Sequence, residues 1–372
     1  TTNNHSLNED GVKAKLYLCT ALTMDKVIYF HNVHSSFMRK DVESLRRNFN
    51  VITFDFKASP KWLSPWRFIQ QLFFLIKHLP GAKAQISLLA GYHSFLPALL
   101  GRIFNRKSLI VLGGSDCVSF PSISYGNFNK SIQGLFTKWS IQLSDHLAPV
   151  DASLVTSDYN YTDDDPKHQG YSHYCNGKLP PFTVIHFGYD SELFKRTIPI
   201  KQGSFLTVGY LNPSNYYRKG LDLIFDQAKR RPKNSYTIIG GTKADLPKGI
   251  EVPHNVTLVS SVSYEELVFY YSSHQFYFQL SMMEGFPSAI CEAMLCECIP
   301  IGSEVAAIPT IIGNTGYLLK QKAFDQLDLL VGEALKDASS EKALSARQRI
   351  IHNYPKNERD KVINLVQSLI TD

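Results

Sequence analysis

Along the first half of the chain, short runs of β-branched and aromatic residues alternate with longer stretches whose apolar positions recur every three or four residues. Runs 27–30, 51–54, 86–90 and 109–112 read as strands, and 42–48, 65–79 and 93–104 read as the amphipathic helices between them. Strand-helix-strand units of this kind build open parallel sheets. After a polar interruption at 163–178 the alternation restarts, with strands at 205–208, 236–239, 257–259, 276–280 and 299–301. Its helices are expected at 220–230, 264–271, 288–298 and 324–335. The pattern predicts two α/β domains, 24–192 and 193–354, joined through the proline-containing stretch 190–199. The tail 341–370 carries two helical patterns broken at Tyr354-Pro355, because the residue before proline avoids helix. Its last helix, within 355–372, is expected outside the second sheet. Two open sheets facing each other leave a cleft at the carboxyl ends of their strands, where ligands bind in such folds.

Composition narrows the picture. With 372 residues, 44% hydrophobic and only 19% charged, the chain can bury a large core, and neither disorder nor low complexity is indicated. A net charge of +6 falls short of a nucleic-acid binder's clustered basic footprint. Its distribution is uneven, because 57–115 holds eight Lys and Arg and no Asp or Glu, together with Trp62, Trp66, Phe68, Phe73 and Phe74. The helix at 65–79 is read as a face that docks on an anionic membrane. The plainer alternative is a core-facing helix with basic rim residues. Six cysteines without paired C-x-x-C spacing fit reduced thiols in a cytoplasmic enzyme, peripheral at most to the inner membrane face. Cys296 and Cys298 read as buried small residues rather than a metal clip. No apolar run approaches the roughly 20 residues that span a bilayer. Stretch 16–24 is too short for a signal core and lacks a cleavage pattern; because Met24 stands just before the first strand, 1–23 is expected to be a non-native or upstream extension.

The densest chemistry lies at 281–294, S-M-M-E-G-F-P-S-A-I-C-E-A-M, between a strand and a helix. Glu284 falls in the turn, Gly285 allows close backbone approach, and Phe286-Pro287 lead into the helix. The free amides of Ser288 and Ala289 then face the cleft, and a helix start so presented favours phosphate. Glu292, eight positions on, reaches from the helix itself, so two carboxylates can hold one long polyhydroxyl ligand. The plainer reading makes Glu284 a helix cap and Glu292 a solvated acid. At 208–220, V-G-Y-L-N-P-S-N-Y-Y-R-K-G places Arg218 and Lys219 before a helix start, where they can neutralise a diphosphate. A solvated pair is the alternative. In the first half, L-G-G-S-D-C at 112–117 makes a strand-end turn. There Gly114 and Asp116 are candidates to meet a ligand hydroxyl in the cleft, unless Asp116 only caps the next helix. His93, after Gly91-Tyr92, either faces the same ligand or is structural. Asp163 to Asp165 with His168 read as a solvated turn.

Together these residues resemble the retaining, family-four branch of the GT-B glycosyltransferases, also called glycosyl transferases group 1, over nearly the whole second domain. The E-x7-E pattern is met by Glu284 and Glu292, S-x-x-E-G-F-P by 281–287 and R-K-G by 218–220. Asn255-Val256, Glu265-Glu266-Leu267 and 311–318 also look like the family, and 184–194 is similar to its V-I-P-N-G-V-D-x-x-x-F. The resemblance implies an α/β GT-B fold, two facing Rossmann-like domains with a deep interdomain cleft. It implies transfer of a hexose-type sugar from a nucleotide diphosphate donor to a glycan or lipid-linked acceptor, with retention of configuration. The family usually needs no metal, and the nucleotide-sugar is a co-substrate rather than a cofactor. By the same resemblance Lys219 and Arg218 hold the diphosphate, Glu292 the ribose, and Glu284 with the backbone of 285–288 the sugar. By the resemblance Glu284, Lys219 and Asp116 are the expected catalytic residues, and Gly114, Asp116 and His93 the expected acceptor contacts.

Three positions depart from the family. Tyr210 stands where its first-strand arginine belongs, so one phosphate-binding cation is missing unless Arg218 turns inward. Gly113 replaces the histidine of H-G-S-D, and Thr310 stands where a glutamate is frequent. The alternatives are a nucleotide-sugar epimerase on the same fold, or a non-catalytic partner that binds glycan or nucleotide. A phosphorylase would need a pyridoxal-phosphate lysine motif, which the sequence does not display.

Overall fold

The computed structural model describes residues 24–57 and 61–371, so the expected extension 1–23 lies outside the described residues. Strands β1 (Lys26–His31), β2 (Asn50–Asp55), β3 (Ala84–Leu88), β4 (Lys107–Leu112) and β5 (His146–Pro149) form one parallel sheet in the order β2-β1-β3-β4-β5. A short antiparallel pair, β6 (Ser157–Asp158) and β7 (His168–Gln169), brackets the polar interruption. A second parallel sheet contains β8 (Lys201–Val208), β9 (Ser235–Ile239), β10 (Val256–Val259), β11 (His274–Gln279), β12 (Ile299–Ser303) and β13 (Tyr317–Leu319). Its order is β10-β9-β8-β11-β12-β13.

Strands covered by helices on both faces are buried along their length, as the central ones are: Val27 to Phe30 are apolar and buried, and β11 is buried throughout, with an aromatic centre Phe276–Phe278 between the polar residues at its ends. The register of the second sheet is fixed by an aromatic ladder. Phe205 sits opposite Tyr236 on β9 and Phe276 on β11, with ring centroids 5.0 and 4.9 Å away. Each such pair contributes about 0.5–1.5 kcal/mol beyond its buried area. A one-residue slip would turn every ring to the opposite face.

In each sheet the strand order reverses once, between β1 and β3 and between β8 and β11. Loops leaving such neighbours diverge and open a crevice. The loops 209–220 and 280–287, singled out for their chemistry, are therefore placed side by side by topology.

Two helices of the first domain carry their apolar residues outward. In Ser64–His78 the buried residues are Gln71 and Leu75, while Trp66, Ile69, Leu72, Phe73 and Ile76 are exposed. The helix meets the core along one edge, through Gln71, Phe74 and Leu75, and turns its remaining apolar residues to the surface. Helix Ser131–Leu143, which the sequence reading did not anticipate, buries Gly134, Thr137, Ser140 and Ile141 and exposes Ile132, Leu135 and Trp139. Its small buried face lets it lie against helix Tyr92–Ile103, and that face carries no apolar stripe to reveal it.

The tail corrects a second expectation. Helix Ser340–Asn353 packs on helix Ser288–Leu295 in the second domain, but Lys361–Thr371 returns to the first domain and contacts β3 and β4. The crossing is pinned by Arg359, whose guanidinium makes two bonds of 2.7 Å to buried Asp41 and donates to the Ile185 carbonyl. Val362, Ile363, Val366 and Leu369 are buried beyond it. Among the described residues no helix is long and apolar enough to cross a membrane.

Candidate functional site

The cation loop is built to press against the end of β11. Asn212 caps helix Pro213–Arg218 by accepting from the Asn215 amide, and the helix ends at Lys219. Gly220 then takes φ +72°, and a Cβ there would stand 2.4 Å from the Leu280 carbonyl oxygen. Only glycine fits that approach. Lys219 Nζ consequently donates to Glu284 Oε1 at 2.6 Å, and the Ser281 hydroxyl donates to the same oxygen at 3.0 Å. Arg218 also turns inward, with Nη1 3.2 Å from the Met283 carbonyl and 3.5 Å from Glu284. Its Nε and Nη2 donate to Asn215, and the Tyr125 ring from the opposite domain lies 5.0 Å from its centre. Tyr210, by contrast, is 71% exposed. Arg218, unlike Tyr210, is turned inward beside Lys219. Burial alone would raise the Glu284 pKa, but the adjacent Lys219 and Arg218 outweigh it and hold the carboxyl below its usual range.

Glu292 is buried on helix Ser288–Leu295, where it accepts from the Tyr271 hydroxyl at 3.1 Å and from Tyr264 at 3.5 Å. Burial pushes its pKa up to about 7, against the opposing pull of Tyr271 and Lys40. It is not a solvated acid, nor does Glu284 cap the helix. The tyrosines went unnoticed in the sequence, although their spacing of seven puts them on one helical face.

Glu284 and Lys219 line a cavity of ≈ 320 Å³ with Gly113, Tyr125, Gly285 and Ser288. Glu292 lines another of ≈ 490 Å³ with Lys40, Tyr189 and Tyr264. Phe37, Phe187 and Ser288 border both, so these are adjoining compartments of one cleft. Pro287 precedes the helix without a side-chain cap, leaving the Ser288 and Ala289 amides at the first compartment. Phe286 borders it too while packing on His186 and Tyr354, at 5.2 and 5.1 Å between ring centroids.

The first domain's candidates are placed differently from expectation. Asp116 is fully buried, and its two oxygens accept from the amides of Ala90, Gly113 and Gly114 at 2.9–3.1 Å. It caps no helix; it ties the ends of β3 and β4 together. Gly113 and Ser115, rather than Gly114 and Asp116, line the cavity. Gly114 instead meets the second domain, with a notional Cβ 3.1 Å from Gly285. His93 is buried, bonded through Nε2 to the Leu88 carbonyl at 2.6 Å, and burial lowers its pKa to about 4. It borders a separate cavity of ≈ 1190 Å³ with Lys57, Tyr92 and Lys130. The turn at 163–165 is partly buried, since Asp165 accepts from the Ser122 amide and hydroxyl.

Residues 190–353 match the family model described as glycosyl transferases group 1. A comparison with curated protein sequences finds no match. Among solved structures, sucrose-phosphate synthase from Thermosynechococcus elongatus matches with a TM-score of 0.72 at 15% identity, covering 93% of this chain and 99% of that one. HepE from Anabaena, solved in complex with UDP and glucose, matches at 0.66 and 13%, covering 92% and 100%. A glycosyltransferase from Rickettsia africae matches at 0.64 and 11%, covering 94% and 100%. At these identities the likeness is one of fold, and that fold is the expected GT-B arrangement of two facing Rossmann-like domains.

Proposed function

We propose that this chain, whose residues 190–353 belong to the glycosyl transferases group 1 family, moves a hexose-type sugar from a nucleotide diphosphate donor to a glycan or lipid-linked acceptor. The observation that carries this reading is the cluster of Lys219, Arg218 and Glu284 at an uncapped helix start, with Glu292 in the adjoining compartment. In this reading the diphosphate takes Lys219 and Arg218 together with the Ser288 and Ala289 amides. Glu284, released from Lys219, then accepts from hydroxyls of the donor sugar, and Glu292 accepts from the ribose. Two fixed cations and a helix dipole supply the charge that a departing diphosphate needs, so the proposed transfer uses no metal at that point. Retention of configuration is proposed on kinship, and Asp116 is assigned the positioning of the Gly113-Gly114 turn rather than chemistry.

The nucleotide of the HepE complex makes UDP the first ligand to test. Ribose hydroxyls donate better to a carboxylate than to a carboxylic acid, and ligand-free Glu292 titrates at about 7. UDP affinity should therefore rise with pH up to about 7 and level off above it, by at most about tenfold per unit. Calorimetry across pH 5.5 to 8.5 reads this directly. A slope that persists in Glu292→Gln, or full affinity in Glu292→Ala, would remove the ribose assignment.

We also place the enzyme at the cytoplasmic face of an anionic membrane. Trp62, Phe73 and Ile132 are 76%, 66% and 66% exposed, beside the acid-free basic stretch 57–115. Sedimentation with anionic vesicles should exceed that with neutral ones, and Phe73→Ser should weaken it by about tenfold, as loss of one buried aromatic implies. Equal pelleting with both vesicle types, or none, sinks the placement.

A further inference from the structure

A second cluster of polar side chains lies on the first domain, apart from the donor loops. β1 and β2 run in register with His31 opposite Asp55, so two adjacent strand ends carry these side chains abreast. The chain then turns at Ser35, whose hydroxyl caps helix Ser36–Leu45 by accepting from the Met38 amide. That turn brings His34 onto the same carboxylate. His34 Nε2 lies 2.8 Å from one Asp55 oxygen and His31 Nδ1 lies 3.9 Å from the other. One nitrogen of each ring and a carboxylate oxygen fall within 4.8 Å of one another, the one such group among the described residues.

One nitrogen of this cluster has no partner within the protein. His31 is 4% exposed, yet its Nδ1 has no hydrogen-bond partner. A buried polar nitrogen left alone in this way calls for an explanation, an unseen ion among them. The side chains of His34 and Asp55 are 59% and 36% exposed, which leaves one side open to water.

We infer that His31, His34 and Asp55 bind a divalent transition metal, zinc fitting best, with the remaining coordination position open to solvent. Two neutral imidazoles and one carboxylate are the donors of open zinc sites, whereas magnesium and calcium take oxygen ligands. Donors around tetrahedral zinc stand about 3.3 Å apart, so one nitrogen of each ring and one carboxylate oxygen, now within 4.8 Å of one another, would draw together on binding. Irving–Williams order places nickel and copper as competitors and manganese as a weak ligand. The site goes beyond the proposed transfer, since it touches no donor group. Asn32, Phe56 and Lys57, its chain neighbours, border the ≈ 1190 Å³ cavity, so the metal stands at the rim of that cavity.

The test uses full-length protein stripped with EDTA. Zinc chloride titrated by calorimetry should bind one equivalent and raise the thermal midpoint. Cobalt should give visible d–d absorption without the near-ultraviolet charge-transfer band of thiolate ligation, because the described cysteines are buried and free. His34→Ala and Asp55→Asn should each weaken binding by about 100-fold, the upper end of what loss of a supporting partner alone costs. Both should keep the EDTA-state midpoint of the wild type, and if either does not fold, the other carries the test. Absence of saturable binding, unchanged affinity in a folded variant, or a thiolate band would overturn the assignment.

Discussion

Replacing Lys219 with alanine is expected to lower turnover by about 10²–10³-fold while the protein stays folded, the usual cost of removing one preorganised charge-stabilising group. In the ligand-free protein this lysine neutralises Glu284 across 2.6 Å. In the proposed donor complex the same ammonium serves the diphosphate, and it is needed most when the sugar departs. Arg218 remains 3.5 Å from Glu284 in the variant, and Ser281 still donates to it, so the buried carboxylate keeps two partners and the fold survives. The cations now hold the Glu284 pKa down against burial, so losing one shifts it upward. The acid limb of the activity profile should accordingly move to higher pH. Donor consumption measured over pH, beside thermal unfolding, checks both outcomes. Turnover equal to wild type would take Lys219 out of the mechanism.

The second domain's site was readable because each motif follows a strand whose apolar run is unmistakable. A parallel sheet sends every strand's carboxyl end to the same edge, so 218–219 and 284–292 had to converge once β8 and β11 were neighbours. The inward turn of Arg218 was not readable, since it depends on Asn215, the Met283 carbonyl and a tyrosine from the other domain. Tyr125 itself lies in an aperiodic stretch with nothing to mark it. Asp116 misled for a similar reason: an acid after Gly-Gly looks available, and only the fold brings the Ala90 amide to its second oxygen. Periodicity also reports that a helix has two unlike faces without saying which one is buried. That is why 64–78 was open to both readings, and why 131–143, with its core face of Gly, Thr and Ser, was passed over. The return of the last helix to the first domain rests on Arg359 finding Asp41 across 318 positions, a pairing no local pattern announces.

Gly285 marks the place where the two domains touch, and alanine there is expected to reduce turnover by about 100-fold with UDP affinity and thermal stability near wild type. Its own backbone does not occupy the left-handed region, so the second domain can accept the methyl group. The obstacle is across the cleft: the new Cβ would lie 1.7 Å from the Gly113 carbonyl oxygen and 2.6 Å from its carbon. Real Cβ contacts essentially never fall below 3.0 Å, so the facing turns must separate by more than an ångström. A displacement of about 1 Å between reacting groups costs about 10²-fold in rate. The groups assigned to UDP, Lys219, Arg218 and Glu292, all belong to the second domain and do not move with that separation. Lys219→Ala should therefore damage binding and turnover together, whereas Gly285→Ala should damage turnover alone. Calorimetry with UDP and steady-state rates on the two variants distinguish a charge lost from a cleft held open. Full activity in Gly285→Ala would mean that transfer does not require the Gly113-Gly114 turn to meet the donor loop.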